Sequence, residues 1–480
     1  MAQTIITILD TATKSVVVTA IQSRGYTVVD DMPLSRRNFM INCDQSDLDD
    51  VKGVAGVQWF QQKAHLDDLQ IRKLNATKSQ TINPDTSATP NGSAHNWGLA
   101  RCTTIDIPLP TEFHQRLSGK NINCVIIDTA VKKDHCEFTN AEGDSRLIEH
   151  QWKAGLGGSF YTDEHGHGTH VAGIMCGNTQ GWARDAKIYS MKIFDTDQLG
   201  VLEALQLVRQ FHNGQDRPTV VNMSWGYYKW YPYNHPTKSY EDYHPYRVYS
   251  VDAEIEDMIK DGIICVGAAG NSNHIMDRKK DSHYEDKYCT SDWWGDYYVE
   301  DGYWEWYPHR GSSPTSAKGC IAVGATNSND ERTTFSNYGG RVDVYAPGRY
   351  IQSAWIDTSK ASVPGNSGHG LRKLSGTSMS SPQVAGMVAC IMEKIVKRKK
   401  KSSFKPKNAR GKIKRLSSKN KIVTGVRELG NGKNRIAYIH SAKTTFSNGS
   451  PTITPRKYPP IRNGHMEYEI SYDTMSDLED

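Results

Sequence analysis

At 480 residues the chain is too long for one ordinary domain, so a large domain with smaller attachments is the expected plan. A hydrophobic content of 37%, a mean hydropathy of −0.62 and the lack of any apolar run near the roughly 18 residues of a membrane span argue against a helical membrane protein. The net charge of +5 hides an asymmetry, because residues 397–421 hold 13 Lys or Arg and no acid. Such a run can bind nucleic acid or acidic protein. Phe404 is its only aromatic, which disfavours base stacking, and a solvated or mobile loop is the simpler expectation. Residues 1–6 lack a basic n-region, and the nine cysteines include no CxxC pair. Both point away from a secretory signal and toward cytoplasmic synthesis with free thiols.

Residues 1–63 predict a small, complete unit. Strand 5–9 leads to a helix over 14–23 with Val17, Ala20 and Ile21 on one face and Gly25 as its stop. Strands 26–29 and 39–41 flank a Pro33 turn, Asp44 or Ser46 caps a helix bearing Leu48 and Val51, and 57–60 closes the unit. The order βαββαβ predicts a ferredoxin-like α+β fold. Residues 64–95, rich in Ser, Thr, Asn and Lys, read as an exposed linker and a natural cleavage zone.

From about 96 to 396, apolar strands ending at Asp128, Met223, Ala268 and Ala325, and near Phe194 and Tyr345, alternate with helices at 168–176, 201–212 and 250–261. That pattern predicts an α/β domain with a doubly wound, mostly parallel sheet. Ligands of such sheets gather at the carboxyl ends of strands, where Asp128, Ser224 and Asn271 fall. Two stretches interrupt the pattern as long loops, functional or disordered: the aromatic 227–249 and the acidic 272–313.

Four segments carry chemistry: residues 125–129 (VIIDT), 165–173 (HGHGTHVAG), 268–271 (AAGN) and 376–382 (GTSMSSP). They offer an acid, an imidazole, a side-chain amide and a serine at a glycine-flanked turn, the groups that acyl transfer needs. Ser378 opens a helix whose apolar face is Val384, Val388, Ile391 and Ile395, so its own N–H can face a reacting carbonyl; alone it would read as an N-cap. His167 opens another helix and can act as a base, whereas Asp128 is either a helix cap or the residue that orients that base. A zinc site from His165, His167 and His170 is the rival reading.

These segments resemble the subtilases, and within them the proteinase K-like branch. Residues 96–101 (NWGLAR), 335–339 (FSNYG), 346–348 (APG) and 434–438 (NRIAY) extend the resemblance over most of 96–438, leaving 439–480 as a tail. It implies a serine endopeptidase in which Asp128 orients His167, His167 takes the proton of Ser378, and Asn271 with the Ser378 N–H forms the oxyanion hole. It implies no catalytic cofactor, protein or peptide substrates, and two backbone walls, Ser224-Trp225-Gly226 and Ala268-Ala269-Gly270, that clamp an extended substrate. Ala130 stands where the family carries Gly, which would tilt Asp128, and the insertion at 272–313 replaces the loop shaping the first specificity pocket. Its negative potential would favour basic side chains; a loop folded outward would leave an apolar preference. Structural calcium would lie on Asp343 and the carbonyls of Lys318 and Cys320; otherwise Asp343 is an exposed strand aspartate. Residues 1–63 resemble the family's inhibitory propeptide, released by self-cleavage between about Lys63 and His95, or else form a permanent partner-binding module. The competing functions are a catalytically idle scaffold of the same fold and a nucleic-acid-associated protein.

Overall fold

The computed structural model describes residues 2–63, 69–73, 96–104, 107, 117–140, 142–152, 159–194, 198–235, 238–278, 287–288, 307–308, 311–359, 361–363, 366–396, 406–423, 429–430, 432–439, 445–447 and 450–452. The first unit runs β1 (Ala2–Ile8), α1 (Lys14–Ser23), β2 (Thr27–Asp30), β3 (Asn38–Cys43), α2 (Leu48–Lys52) and β4 (Val57–Gln62), with sheet order β2-β3-β1-β4. Its pairings are antiparallel, and Ile6, Ile8, Val17, Ile21, Phe39, Ile41 and Val51 fill a core of its own. The expected order and helices are present. Neither Asp44 nor Ser46 caps a helix through its side chain; a 3-10 turn over Gln45–Asp47 leads into α2 instead.

A further strand, β5 (Leu69–Lys73), and a short helix, α3 (Trp97–Thr103), lead into the large domain. There the chain forms β6 (Asn123–Asp128), α4 (His167–Cys176), β7 (Lys187–Lys192), α5 (Gln198–Asn213), β8 (Thr219–Met223), β9 (Trp225–His235), β10 (Lys238–Pro245), α6 (Tyr249–Lys260) and β11 (Ile264–Ala268). The two-residue strands β12 (Lys287–Tyr288) and β13 (Tyr307–Pro308) pair within the acidic insertion. Then come β14 (Ile321–Thr326), β15 (Val344–Pro347), β16 (Ile351–Trp355), β17 (Ala361–Val363), β18 (Asn366–Leu374), α7 (Thr377–Val396), α8 (Pro406–Leu416), β19 (Ser418–Lys419) and β20 (Arg435–Ile436).

The eight-stranded sheet has the order β19-β20-β15-β14-β11-β8-β6-β7, parallel from β7 to β20. Successive residues of one strand feed opposite faces, since side chains alternate with period two. Cys124 and Ile126 join the core under α4 and α7, whereas Val125 and Ile127 join the core under α5. This alternation makes the domain doubly wound, as the apolar strands predict. β6 lies between β7 and β8, so the strand order reverses there, and the carboxyl ends of β6 and β8 border a switch-point crevice.

Two sequence expectations change. The aromatic stretch after Ser224 is not a loop but the long hairpin β9–β10, with β5 added antiparallel to β9. Its density of Tyr and Trp suits a pleated ladder, which the search for crossover helices passed over. Within the basic run, residues 406–416 are not a solvated loop: Ala409 and Ile413 enter the main core.

Candidate active site

Asp128 ends β6, His167 starts α4 and Ser378 is the second residue of α7; all three are fully buried. The α4 and α7 helices pack against each other, and Ser378 near the start of α7 lies on the Ser224 carbonyl just past β8. His167 Nδ1 lies 2.7 Å from Asp128 Oδ1, and that oxygen also accepts from Thr129 N–H at 2.8 Å. His167 Nε2 is buried without a hydrogen-bond partner, whereas Ser378 Oγ donates to the Ser224 carbonyl at 2.9 Å. The serine therefore points at the Ser224 wall, and no Ser378–His167 hydrogen bond is present among the described residues. Catalytic hydrogen bonds of this kind commonly tighten only around substrate.

Asn271 follows β11 at the same end of the sheet. Its Oδ1 accepts from Thr377 N–H at 2.9 Å and Thr377 Oγ1 at 2.8 Å, which fixes the amide with its NH2 as the donor end. Gly270 before it has φ +110°, and a Cβ there would meet Asn337 Nδ2 at 2.3 Å, so the turn that delivers Asn271 accepts only glycine.

One residue that the sequence reading missed holds the histidine in place. Asp163 is buried, and its Oδ1 accepts from Gly166 N–H (2.9 Å), His165 N–H (3.1 Å) and Thr129 Oγ1 (2.9 Å). Its Oδ2 accepts from Thr169 N–H (2.9 Å) and Thr169 Oγ1 (2.7 Å). Thr129, next to Asp128, in turn accepts from Gly168 N–H at 2.8 Å. The signal was an acid four residues before His167, where an Asx-type turn starts a helix.

The three clustered histidines do not converge. His167 Nδ1 is committed to Asp128, and His170 Nε2 donates to the Arg372 carbonyl at 2.9 Å. Burial pushes His170 down to about 3, so it is a neutral core residue. That geometry corrects the zinc alternative.

Ala130 does not tilt the aspartate as expected, because the Asp128–His167 contact keeps its 2.7 Å. The departure is absorbed in the backbone, where Ala130 sits at φ +114°. A β-carbon there costs on the order of 1–3 kcal/mol. Ala130→Gly should therefore raise stability by about 1 kcal/mol, read as a higher urea midpoint. A midpoint that stays or falls would show that the site is relaxed.

The substrate walls divide. Ser224-Trp225-Gly226 is an edge: β5 pairs along it, Lys73 opposite Trp225 and Arg72 opposite Gly226. Ser224 Oγ bonds to the Ser378 carbonyl (3.0 Å) and Ser381 Oγ (2.9 Å), which fastens this wall to α7. Ala268-Ala269-Gly270 is not an edge. Ala268 pairs with Val323, Ala269 N–H with the Val323 carbonyl, and Asn337 takes the carbonyls of Ala269 and Gly270. With its backbone groups spent internally this stretch serves as a floor, a correction to the second clamp. The acidic residues proposed to set specificity lie, apart from Asp277, outside the described residues. Asp277 itself is buried and accepts from Gly340 N–H at 2.9 Å.

The calcium expectation also meets a different chemistry. Asp343 is buried, with Arg341 Nη1 at 3.2 Å, Arg410 Nη2 at 2.7 Å and Nε at 3.0 Å, and Lys414 Nζ on the same carboxylate. Arg341 Nη2 donates to the Cys320 carbonyl at 2.9 Å and the Ala317 carbonyl at 3.0 Å. Calcium takes six to eight oxygen ligands. Here two of the three expected oxygens already face cations, so the residues do not fit the ion. Burial would raise the Asp343 carboxyl, but Arg341, Arg410 and Lys414 outweigh it and hold it at about 2. Its contribution is then complete above about pH 4 and lost as pH falls through about 2. Two outcomes should follow: one melting temperature in excess calcium and in chelator, and a gap between parent and Asp343→Asn that narrows from pH 4 to 2. A calcium-dependent rise in melting temperature would restore the metal site.

An α/β fold with an acid at a strand end, an amide just past another, and an imidazole and a serine opening helices has the groups of the serine hydrolase class. Residues 119–432 match the Subtilase family model, Peptidase_S8, and the chain belongs to that family of serine proteases. It is 29% identical to subtilisin-like protease 2 of Pseudogymnoascus destructans over 71% of this chain and 69% of that protein. It is 27% identical to proteinase R of Parengyodontium album over 68% of this chain and 69% of that protein. Three other curated serine proteases are matched over 58%, 59% and 61% of their own length. A crystal structure of a cold adapted subtilisin-like serine proteinase aligns with TM-score 0.49 and 25% identity, over 73% of this chain and all of that one.

Proposed function

We propose that this subtilase is an endopeptidase working through an acyl-enzyme, and that its first substrate is its own chain. The observation that carries the reading is the buried 2.7 Å Asp128–His167 pair at the end of β6, with Ser378 Oγ on the Ser224 carbonyl just past β8 and Asn271 on Thr377 beside that serine. Asp128 holds the Nδ1–H tautomer, so Nε2 takes the proton as Ser378 Oγ bonds to the scissile carbonyl carbon. The oxygen turned anionic accepts from Asn271 Nδ2 and Ser378 N–H at the positive end of α7. His167 then gives its proton to the leaving amine, and water repeats the sequence on the ester.

Self-cleavage is supported by how the first unit sits. Trp59 stacks on Tyr249 with ring centroids 3.9 Å apart, Gln61 Oε1 accepts from Tyr249 N–H at 3.1 Å, and Asn38 Nδ2 donates to Glu254 at 2.9 Å. From that docked unit the chain enters the cleft as β5, pairing Ile71, Arg72 and Lys73 with Tyr227, Gly226 and Trp225. Lys73 is the last described residue of β5, opposite Trp225 and one position short of Ser224, whose carbonyl touches Ser378 Oγ; Leu74 lies outside the described residues. The bond offered to the serine is then Leu74–Asn75, and the released unit, still complementary to α6 and β9, is an inhibitor. On this reading the first cut falls within 64–95, ahead of any trimming toward Trp97.

Parent and Ser378→Ala chains, expressed side by side and exposed to a serine-directed fluorophosphonate, test both parts. The expected result is a labelled parent whose larger fragment begins at Asn75, and an intact, unlabelled Ser378→Ala chain. A labelled but uncut parent would leave the first unit as a permanent module, and an unlabelled parent would favour the idle scaffold.

A further inference from the structure

We propose that His135, Cys136 and His369 form a site for a borderline-soft metal ion of the zinc class, one that clips the β16–β18 hairpin to the loop leaving β6. One ligand atom from each residue lies within 4.8 Å of the other two, and the His135 and His369 rings meet edge-on with centroids 5.1 Å apart. A tetrahedral zinc site with bonds of about 2.0–2.3 Å has ligand–ligand edges of roughly 3.3–3.8 Å, so modest side-chain rotations close the set.

The polar bookkeeping of the three residues fits an ion. His135 Nε2 lies 2.9 Å from the Gly370 carbonyl, which can only accept, so that nitrogen carries the proton and Nδ1 keeps its lone pair. A ligating histidine usually shows this pattern, one nitrogen on the metal and the other donating to a carbonyl. Among the described residues Nδ1 accepts one hydrogen bond, from Glu137 N–H at 3.2 Å, which an incoming ion would displace. His369 Nδ1 is buried with no hydrogen-bond partner. An orphaned imidazole nitrogen beside a thiol and a second imidazole suits zinc, which combines nitrogen and sulfur ligands.

The surroundings set charge and access. His135 is fully buried. Cys136 and His369 are partly exposed, which leaves an entry path and a fourth position for water. The Glu137 carboxylate nearby is held by Thr179 N–H (2.9 Å) and Gln180 N–H (3.1 Å), and adds charge rather than a ligand. Lys132 Nζ is tied to the Ile356 carbonyl at 3.1 Å.

The hairpin backs the helix that carries His167. Ser353 Oγ donates to the His170 carbonyl at 2.7 Å, His170 Nε2 donates to the Arg372 carbonyl, and a Cβ on Gly166 would meet the Trp355 ring at 2.7 Å. An ion at this position is structural: it would stiffen the support of α4 without touching the reacting atoms.

The test uses the full chain carrying Ser378→Ala, which keeps it intact whether or not the catalytic reading holds. Zinc should bind at one ion per chain and raise the melting temperature. Cobalt(II) should give the near-ultraviolet charge-transfer band of a thiolate ligand. Cys136→Ser should abolish that band, and Cys136→Ser and His369→Ala should each weaken zinc by at least about tenfold, with metal-free melting unchanged. Saturating cobalt without a thiolate band would overturn the site even if both variants failed to fold. So would zinc binding equally to the parent and to both variants.

Discussion

Ser378→Ala and His167→Ala should each lower peptide turnover by on the order of 10⁶, the size that loss of the corresponding serine or histidine has in subtilisin, because the groups act as one unit. The 2.7 Å Asp128–His167 contact and the buried Nε2 leave that nitrogen a single chemical task, so neither partner should retain activity without the other. The double variant should be no worse than the worse single one. Asn271→Ala should cost only about 10²–10³, the loss known for one oxyanion donor, since the Ser378 N–H survives. Part of that cost would arise indirectly, because Asn271 Oδ1 also receives Thr377 N–H at the start of α7. Initial rates on a peptide substrate decide the matter, and turnover retained by Ser378→Ala would move the chemistry to another group.

Asp163→Ala should be the most damaging change outside the reacting atoms. It strands three backbone N–H groups and two hydroxyls that now share one buried carboxylate. Each unsatisfied buried donor costs about 1–3 kcal/mol, so a net loss of at least about 3 kcal/mol is expected even after water replaces some contacts. Turnover should fall by about 10² or more in the fraction that folds, since small misplacements of a catalytic group cost that much. Asp163→Asn keeps one acceptor oxygen and should fall between parent and Ala. The separating measurement is turnover per folded molecule at a temperature where both variants are native. A normal value there would make Asp163 purely structural.

The alternation of apolar strands with amphipathic helices was readable because period-two and 3.6-residue patterns are local. Strands ending at Asp128, Met223 and Ala268 sit where the pattern put them. Helices α4, α5 and α6 lie within a few residues of expectation. The site was legible for a related reason, since Asp128 ends an apolar strand and the other catalytic candidates sit in short glycine-bearing segments, some of whose glycines are forced by backbone geometry. Gly166 at φ +90° and Gly270 at φ +110° are such cases.

What the sequence could not give was pairing between distant segments, which no local pattern encodes. That Arg341 and Arg410 surround Asp343 depends on α8 packing its Ala409 and Ile413 into the core, and the run read only as charge until the helix was docked. That Ala268–Gly270 is a floor depends on Asn337 and Val323, which approach it from later in the chain. Asp163 looked like a loop acid until its five donors closed around it. The sequence by itself determined the class of fold and the kind of chemistry, because both rest on local period and residue type. Only the tertiary structure decided which backbone edge is open to strand pairing and that Asp163 braces the turn into the His167 helix, because a hydrogen bond is claimed by whichever partner folding brings within about 3 Å.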